Sequence, residues 1–259
     1  MNTILYFSPT GNVRFVAEKL SACFEGETTE LLPIEFTDPT AIKQSSHLIV
    51  MYSVHGFNPP RTVKRFVRDI PEGLCESQSL IAVGCAESWV NEAASAGLRR
   101  ILEQKGYSII VDTVFAMPLT FIMSFPDDVA RGLLASAEKK VSNIADEIIN
   151  EKITAPGTKF KSKALSFIGQ AESPAARLFG LELHANKDCT SCGTCVKNCP
   201  EKNIRFNSKK KPIFSVSCLM CMRCIYNCPE NAISPRFSKF IPVKGGYDIS
   251  RYQDLSKVN

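Results

Sequence analysis

No apolar run in this 259-residue chain approaches the length needed to cross a bilayer, which excludes a helical membrane span. Charge is missing ahead of the apolar start at Met1–Phe7, and that start is too short for a secretory leader. A cytoplasmic location with reduced thiols is therefore expected, and structural disulfides are not. Neither a Walker A loop nor a G-x-G-x-x-G dinucleotide fingerprint occurs, and no catalytic acid–base pair stands out. Nucleic-acid-binding motifs are missing too, so no nucleic-acid partner is expected. Tryptophan occurs once, at Trp89.

Cysteine, by contrast, is abundant, with eleven in the chain. Eight fall in two runs: Cys189, Cys192, Cys195, Cys199 before Pro200, and Cys218, Cys221, Cys224, Cys228 before Pro229. Each run reads C-x2-C-x2-C-x3-C-P, and the second follows the first at a distance of 29 residues. The residues behind them repeat as well, Glu201-Lys202-Asn203-Ile204 against Glu230-Asn231-Ala232-Ile233, which implies two halves related by a pseudo-twofold. The spacing is that of bacterial two-cluster ferredoxins, in which the fourth Cys of each run ligates the other cluster. Cys189, Cys192, Cys195 and Cys228 are thus assigned to one [4Fe–4S] cluster, and Cys218, Cys221, Cys224 and Cys199 to the second. Zinc is the weaker alternative, because it commonly takes two C-x2-C pairs per ion without a third thiolate or a following Pro. Cys23, Cys75 and Cys85 lie in or near apolar segments and read as small buried residues.

The net charge of +5 is unevenly distributed. Residues 1–150 carry 13 Lys+Arg against 18 Asp+Glu, whereas residues 184–259 carry 13 against 5. Three readings of that basic half compete: docking onto the acidic first half, steering toward an acidic redox partner, or nucleic-acid binding, and no motif supports the third. The densest run, Lys209-Lys210-Lys211, precedes Pro212 in the loop between the cysteine runs and also fits a solvated loop.

Residues 1–150 alternate strand and helix signals. Strands are expected at Ile4–Phe7, Glu30–Ile34, His47–Tyr52, Leu80–Cys85 and Ile109–Met117, as five βα units. The order fits a doubly wound α/β parallel sheet of order 2-1-3-4-5, with its ligand site at the carboxyl ends of strands 1 and 3. The first βα turn holds Ser8-Pro9-Thr10-Gly11-Asn12. Amides at a helix start, the Ser8 and Thr10 hydroxyls and the small Gly11 suit a phosphate dianion there.

That loop resembles the S/T-x-T-G-N-T loop of flavodoxins, with Val13 in place of the last Thr. The chain as a whole, up to about residue 235, resembles ferredoxins that carry a flavodoxin-like region ahead of a two-cluster region. The resemblance implies an α/β flavodoxin-like sheet followed by a small α+β ferredoxin domain, and FMN beside two [4Fe–4S] clusters. It implies FMN phosphate contacts at Ser8, Thr10, Gly11 and Asn12. Ring contacts are implied at Ser53, Gly56 and Phe57 after strand 3, where the Gly56 backbone would answer flavin N5, and at Trp89 after strand 4. His55 reads either as a stacking partner or as a solvated loop residue.

The division expected is 1–150 flavodoxin-like, 151–183 linker, 184–235 ferredoxin-like and 236–259 tail. The linker is expected to hold short helices on either side of Pro174, and the apolar Pro118–Phe125 connection to cover the flavin or dock the second domain. The function expected is electron transfer with redox-protein partners, in an anaerobic setting. An FMN-dependent reductase of a small molecule, fed by its own clusters, is the alternative.

Overall fold

Short apolar runs separated by 3.6-period segments resolve into strands and covering helices in the computed structural model, which describes residues 1–75, 77–84, 91–154 and 172–253. Five parallel strands, β1 (Asn2–Phe7), β2 (Thr29–Pro33), β3 (His47–Ser53), β4 (Ser77–Gly84) and β5 (Ser108–Ala116), lie in the order β2-β1-β3-β4-β5. Ile4 sits opposite Leu31 on one side and Ile49 on the other. Because both faces are covered, the central strand is apolar along its middle; Leu48 to Tyr52 of β3 are all fully buried.

Helices α1 (Asn12–Ala22) and α4 (Asp127–Ile149) cover one face over Ile4, Ile49, Met51 and Phe115. Helices α2 (Arg61–Asp69) and α3 (Asn91–Gln104) cover the other over Leu5, Phe7, Val50 and Tyr52. The expectation of five βα units needs correction at β2, whose connection to β3 is made by two 3₁₀ turns, Ile34–Phe36 and Pro39–Ala41. Pro33 and Pro39 punctuate this stretch, and the Asp38 side chain draws in the Thr40 amide at 2.9 Å, so a local turn replaces a helix.

In the second half α5 (Glu172–Glu182) leads into β6 (Leu183–Ala185). Then come α6 (Thr194–Asn198), β7 (Ile204–Phe206), β8 (Pro212–Phe214), α7 (Arg223–Tyr226) and β9 (Ile233–Pro235). The repeat of 29 runs through every element after α5: β6 corresponds to β8, α6 to α7 and β7 to β9. Register obeys it too, since Leu183 opposite Pro235 becomes Pro212 opposite Phe206. Pro174 lies in the first turn of α5, where proline is tolerated, and the helix expected on its other side, at 164–168, lies outside the described residues. That helix packs on the cysteine-bearing unit through Phe179, which meets Leu183 and Met222.

Candidate redox site

The two cysteine loops share an unusual backbone. Ser191 and Met220, Gly193 and Met222, and Lys202 and Asn231 all have positive φ, and each pair is related by the same repeat. Left-handed residues in such loops turn successive amides toward a common centre. The amides of Asn203 and Ala232 donate to Cys199 Sγ and Cys228 Sγ, each at 3.3 Å, and the Met220 amide donates to Cys218 Sγ at 3.2 Å.

Cys199, Cys218, Cys221 and Cys224 line one cavity, and Cys189, Cys192, Cys195 and Cys228 line another. The fourth cysteine of each run thus faces the first three of the other. Among the described residues no group of three His, Cys, Asp or Glu side chains gathers around a single-ion position. Thiols that ring a space and accept amide N–H groups fit a multi-iron core better than tetrahedral zinc, whose Zn–S bonds are only about 2.3 Å.

The two cavities differ in setting. Burial pushes the Cys221 thiol up to about 12 and raises those of Cys218 and Cys224. Cys192 is exposed, and hydrogen bonding with Thr194 lowers its thiol below the ordinary value. Inner and outer describe them well.

A third cavity, of about 380 Å³, opens at the carboxyl ends of β1, β3, β4 and β5, where ligands of doubly wound sheets bind. Ser8, Thr10 and Asn12 line it from the first turn, Ser53, Gly56 and Phe57 from the loop after β3, and Pro118–Phe121 from the loop after β5. Its far wall is Met220 and Cys221, an inner-cavity cysteine and its neighbour. Gly11 is not part of the lining. Its φ of +102° turns the chain into α1, and a Cβ there would stand 2.7 Å from Ile249 of the tail. Val13 packs in the α1 core and also lines the cavity, offering it an apolar surface. Trp89 and Cys85 lie outside the described residues.

Local hydrogen bonds fix this lining. Ser8 Oγ accepts the Arg14 amide at 3.0 Å, and the Arg14 guanidinium is exposed and paired with Glu18. Asn12 Nδ2 donates to the Pro118 carbonyl at 2.9 Å, while Tyr247 O–H of the tail donates to Asn12 Oδ1. Gly56 and Phe57, both at positive φ, form the centre of a tight turn in which His55 and Asn58 exchange backbone bonds of 2.9 Å. Asn58 Nδ2 also donates to the Gly56 carbonyl at 2.9 Å. His55 is not a solvated loop residue: its ring lies 6.3 Å from that of Phe7 and bonds Ser53 Oγ, and burial pulls its pKa down to about 4.

Residues that sequence reasoning passed over join the cysteine unit to the sheet. The Arg223 guanidinium, buried between the units, pairs with Glu35 and donates to the Ser8 carbonyl at 2.8 Å. It also reaches the Asn198 carbonyl and lies 5.7 Å from the Phe7 ring centre. On the other side of the cleft Glu201 meets Arg61 and Arg65 of α2, and Arg61 also reaches the Ser217 and Cys218 carbonyls. Tyr226 O–H donates to the Thr120 carbonyl at 2.7 Å, and the Ile122 amide donates to the Ile241 carbonyl at 2.5 Å. The Pro118–Phe125 connection therefore walls the cavity through Pro118–Phe121 and holds the second unit through Thr120 and Ile122. One clue to Arg223 was present: the first repeat has Thr194 at the equivalent position.

The class follows from this fold and these loops: a redox protein in which a flavodoxin-like sheet is joined to an iron–sulfur module. Residues 182–229 match the family model of the 4Fe-4S dicluster domain. No curated protein matches the chain. Among solved structures, a flavodoxin from the domain Archaea aligns with 15% identity over 57% of this chain and 99% of its own, at a TM-score of 0.40. Flavodoxin 2 from Bacillus cereus aligns with 14% identity over 58% of this chain and 98% of its own, at 0.43. An NADH:FMN oxidoreductase in its apo form aligns with 15% identity over 61% and 92%, also at 0.43. The strand order, not these alignments, carries the fold assignment.

Proposed function

We propose that the chain is an electron carrier that relays low-potential electrons through two [4Fe–4S] clusters and an FMN. The observation that carries this reading is the shared wall: Met220 and Cys221 border both the inner cysteine cavity and the cavity over the sheet. Cys199, Cys218, Cys221 and Cys224 would hold the inner cluster, and Cys189, Cys192, Cys195 and Cys228 the outer. Ser8, Thr10 and Asn12, with the turn supplied by Gly11, would hold the FMN phosphate; Ser53, Gly56 and Phe57 would face its ring, with Trp89 kept as a further ring contact. When bound, the clusters supply one-electron chemistry and FMN a carrier of one or two electrons.

The residues present suit those groups. Amide donors on the cysteine sulfurs stabilise negative charge there, and α5 with Phe179 shields the inner cavity from water. The apolar lining of the sheet cavity, with a few convergent polar groups, matches the usual make-up of cofactor sites. We assign residues 1–150 to the flavin-binding domain, 184–235 to the cluster domain and 236–259 to a tail, with 151–183 between the domains. Among the described residues no helix is long and apolar enough to cross a membrane, and we place the protein in the cytoplasm.

Anaerobic purification with iron, sulfide and flavin quantitation tests this reading. About eight irons and one FMN per chain are expected; a colourless protein or one holding only zinc overturns it. The reductase alternative keeps one foothold, the paired Ser53 and His55 in the cavity wall. Oxidation of the reduced protein by redox proteins, but by no small-molecule acceptor, rules that alternative out.

A further inference from the structure

The surplus of positive charge in the second half is not engaged in joining the two units. Glu201 of the cysteine unit takes Arg61 and Arg65 of the sheet unit, the reverse of the polarity expected if a basic module docked on an acidic one. Among the described residues, Arg223 is the single basic residue of the cysteine unit paired with a carboxylate of the sheet unit. Five of the others, Lys187, Lys197, Arg205, Lys209 and Lys210, are exposed on the segments that carry and flank the outer cysteine loop.

That face is built rather than loose. The β7–β8 hairpin is fixed by Asn207 Oδ1, which accepts the amides of Lys209 and Lys211 at 3.0 and 2.9 Å. Lys211 Nζ then reaches back to the Cys189 carbonyl at 2.7 Å, fastening the hairpin to the outer loop. Lys209 and Lys210 are left exposed at its tip, and Lys187, Lys197 and Arg205 are exposed on neighbouring segments. Phe206, 39% exposed, lies against Gly193 beside the exposed Cys192. Asp188 and Glu230 are the acidic groups here; Asp188 is engaged by Asn186 Nδ2, and Glu230 lines the cavity.

We propose that this face is the docking site for an acidic one-electron redox protein, with Phe206 at its apolar centre and Lys187, Lys197, Arg205, Lys209 and Lys210 as its rim. The inference rests on the two-cluster reading above and adds where electrons cross and what sign of partner receives them. One electron leaves the reduced centre and arrives on the oxidised one, with no proton or atom transferred. The inner cavity is a poor alternative port, since α5, the sheet unit and the buried Arg223 cover it. A nucleic acid is a poorer occupant, because the face offers only a five-residue helix and three-residue strands, too short to read a groove.

The test uses the anaerobically loaded full chain and, as probe, an acidic bacterial two-cluster ferredoxin. Calorimetric titration over a range of NaCl concentrations should show affinity falling roughly tenfold or more as exposed charges are screened. The exposed double variant Lys209→Glu/Lys210→Glu should bind about tenfold more weakly at low salt and converge with the parent at high salt. Electron exchange with the probe should slow by a similar factor, while photoreduction by a neutral deazaflavin, which needs no docking, stays unchanged. Salt-independent affinity, an unaffected variant, or tighter binding of a DNA duplex than of the ferredoxin overturns the proposal. Iron is counted on the same samples. With about eight irons present, such a result removes the docking face alone; with none, the reading beneath it falls too.

Discussion

A single hydrogen atom decides whether α5 can close over the inner cysteines. Gly180 lies so near the second run that a Cβ would stand 2.4 Å from Cys218 Cβ and 2.9 Å from the Ser215 carbonyl. Neither neighbour is the end of a flexible side chain, so Gly180→Ala should force α5 off the cavity at a cost of about 1–3 kcal/mol. The expected readout is lower thermal stability with iron falling toward four per chain, the outer site remaining filled. Gly132 in α4 is the control, having nothing within 4 Å of its Cβ position. Gly132→Ala should stabilise the chain by roughly 0.5–1 kcal/mol through helix propensity. A Gly180→Ala variant that keeps all its iron and its melting temperature would show that the closeness has no consequence.

The thiols give a second residue-scale expectation. A raised pKa keeps a thiol protonated to higher pH, and a lowered one frees thiolate at lower pH. In iron-free protein, Cys192, exposed and lowered by its bonds with Thr194, should react with iodoacetamide before Cys218, Cys221 and Cys224 as pH rises toward 9. Cys221, raised by burial to about 12, should stay unmodified over the same range until the fold opens. Peptide mapping by mass spectrometry reads the order, and modification of Cys221 ahead of Cys192 in folded protein would contradict it.

At the scale of elements, the tail is the part the sequence disclosed least. Its aromatics promised burial but not an address, and the address is the helix start beneath the sheet cavity. Tyr247, Ile249 and Tyr252 pack with the α1 and α4 core, and Tyr247 reaches Asn12, whose amide also holds the loop after β5. Tyr247→Phe keeps the ring and leaves Asn12 Oδ1 without its donor, which should cost about 1–3 kcal/mol. Denaturant unfolding measures that loss. Flavin affinity should fall with it while iron content holds, because the cysteines are elsewhere; unchanged stability would mean that the bond contributes nothing.

What was legible follows from how local each signal is. Cysteine spacing is written along the chain, so the repeat could be read directly and the two sets of four that line the cavities could be anticipated, and hydrophobic runs marked β1, β3, β4 and β5. The connection after β2 was harder because Pro33, Pro39 and Asp38 act through turn chemistry rather than periodicity. The helix α5 read as a linker because its contact face depends on a glycine that looks like a helix breaker until its neighbour across the gap is known. Contacts such as Arg223 with Glu35, 188 positions apart in sequence, carry no local pattern.

At the scale of the whole molecule, Arg223 and Glu35 tie the cysteine unit to the sheet unit beside the candidate phosphate loop. Their side chains are only 7% and 4% exposed, so water screens the pair little. Burial of two charges is costly, and the pair is held by further bonds to the Ser8 and Asn198 carbonyls and by the Phe7 ring. Removing one partner strands the other. Arg223→Met should therefore destabilise by about 3–5 kcal/mol, and Glu35→Gln, which keeps an acceptor, by less. The double variant should recover part of the loss, giving a coupling energy of roughly 1–3 kcal/mol in a double-mutant cycle. Salt sharpens the test. Added NaCl should weaken the exposed Arg14–Glu18 pair on α1 yet leave the Arg223–Glu35 coupling nearly unchanged. Thermal unfolding of the four proteins at low and high salt reads the buried coupling, and the same cycle on Arg14 and Glu18 reads the exposed one. Strictly additive losses would mean that the two units are held together by Tyr226, Arg61 and the tail, and that the buried pair sets no part of the distance between the sheet cavity and the inner cysteines.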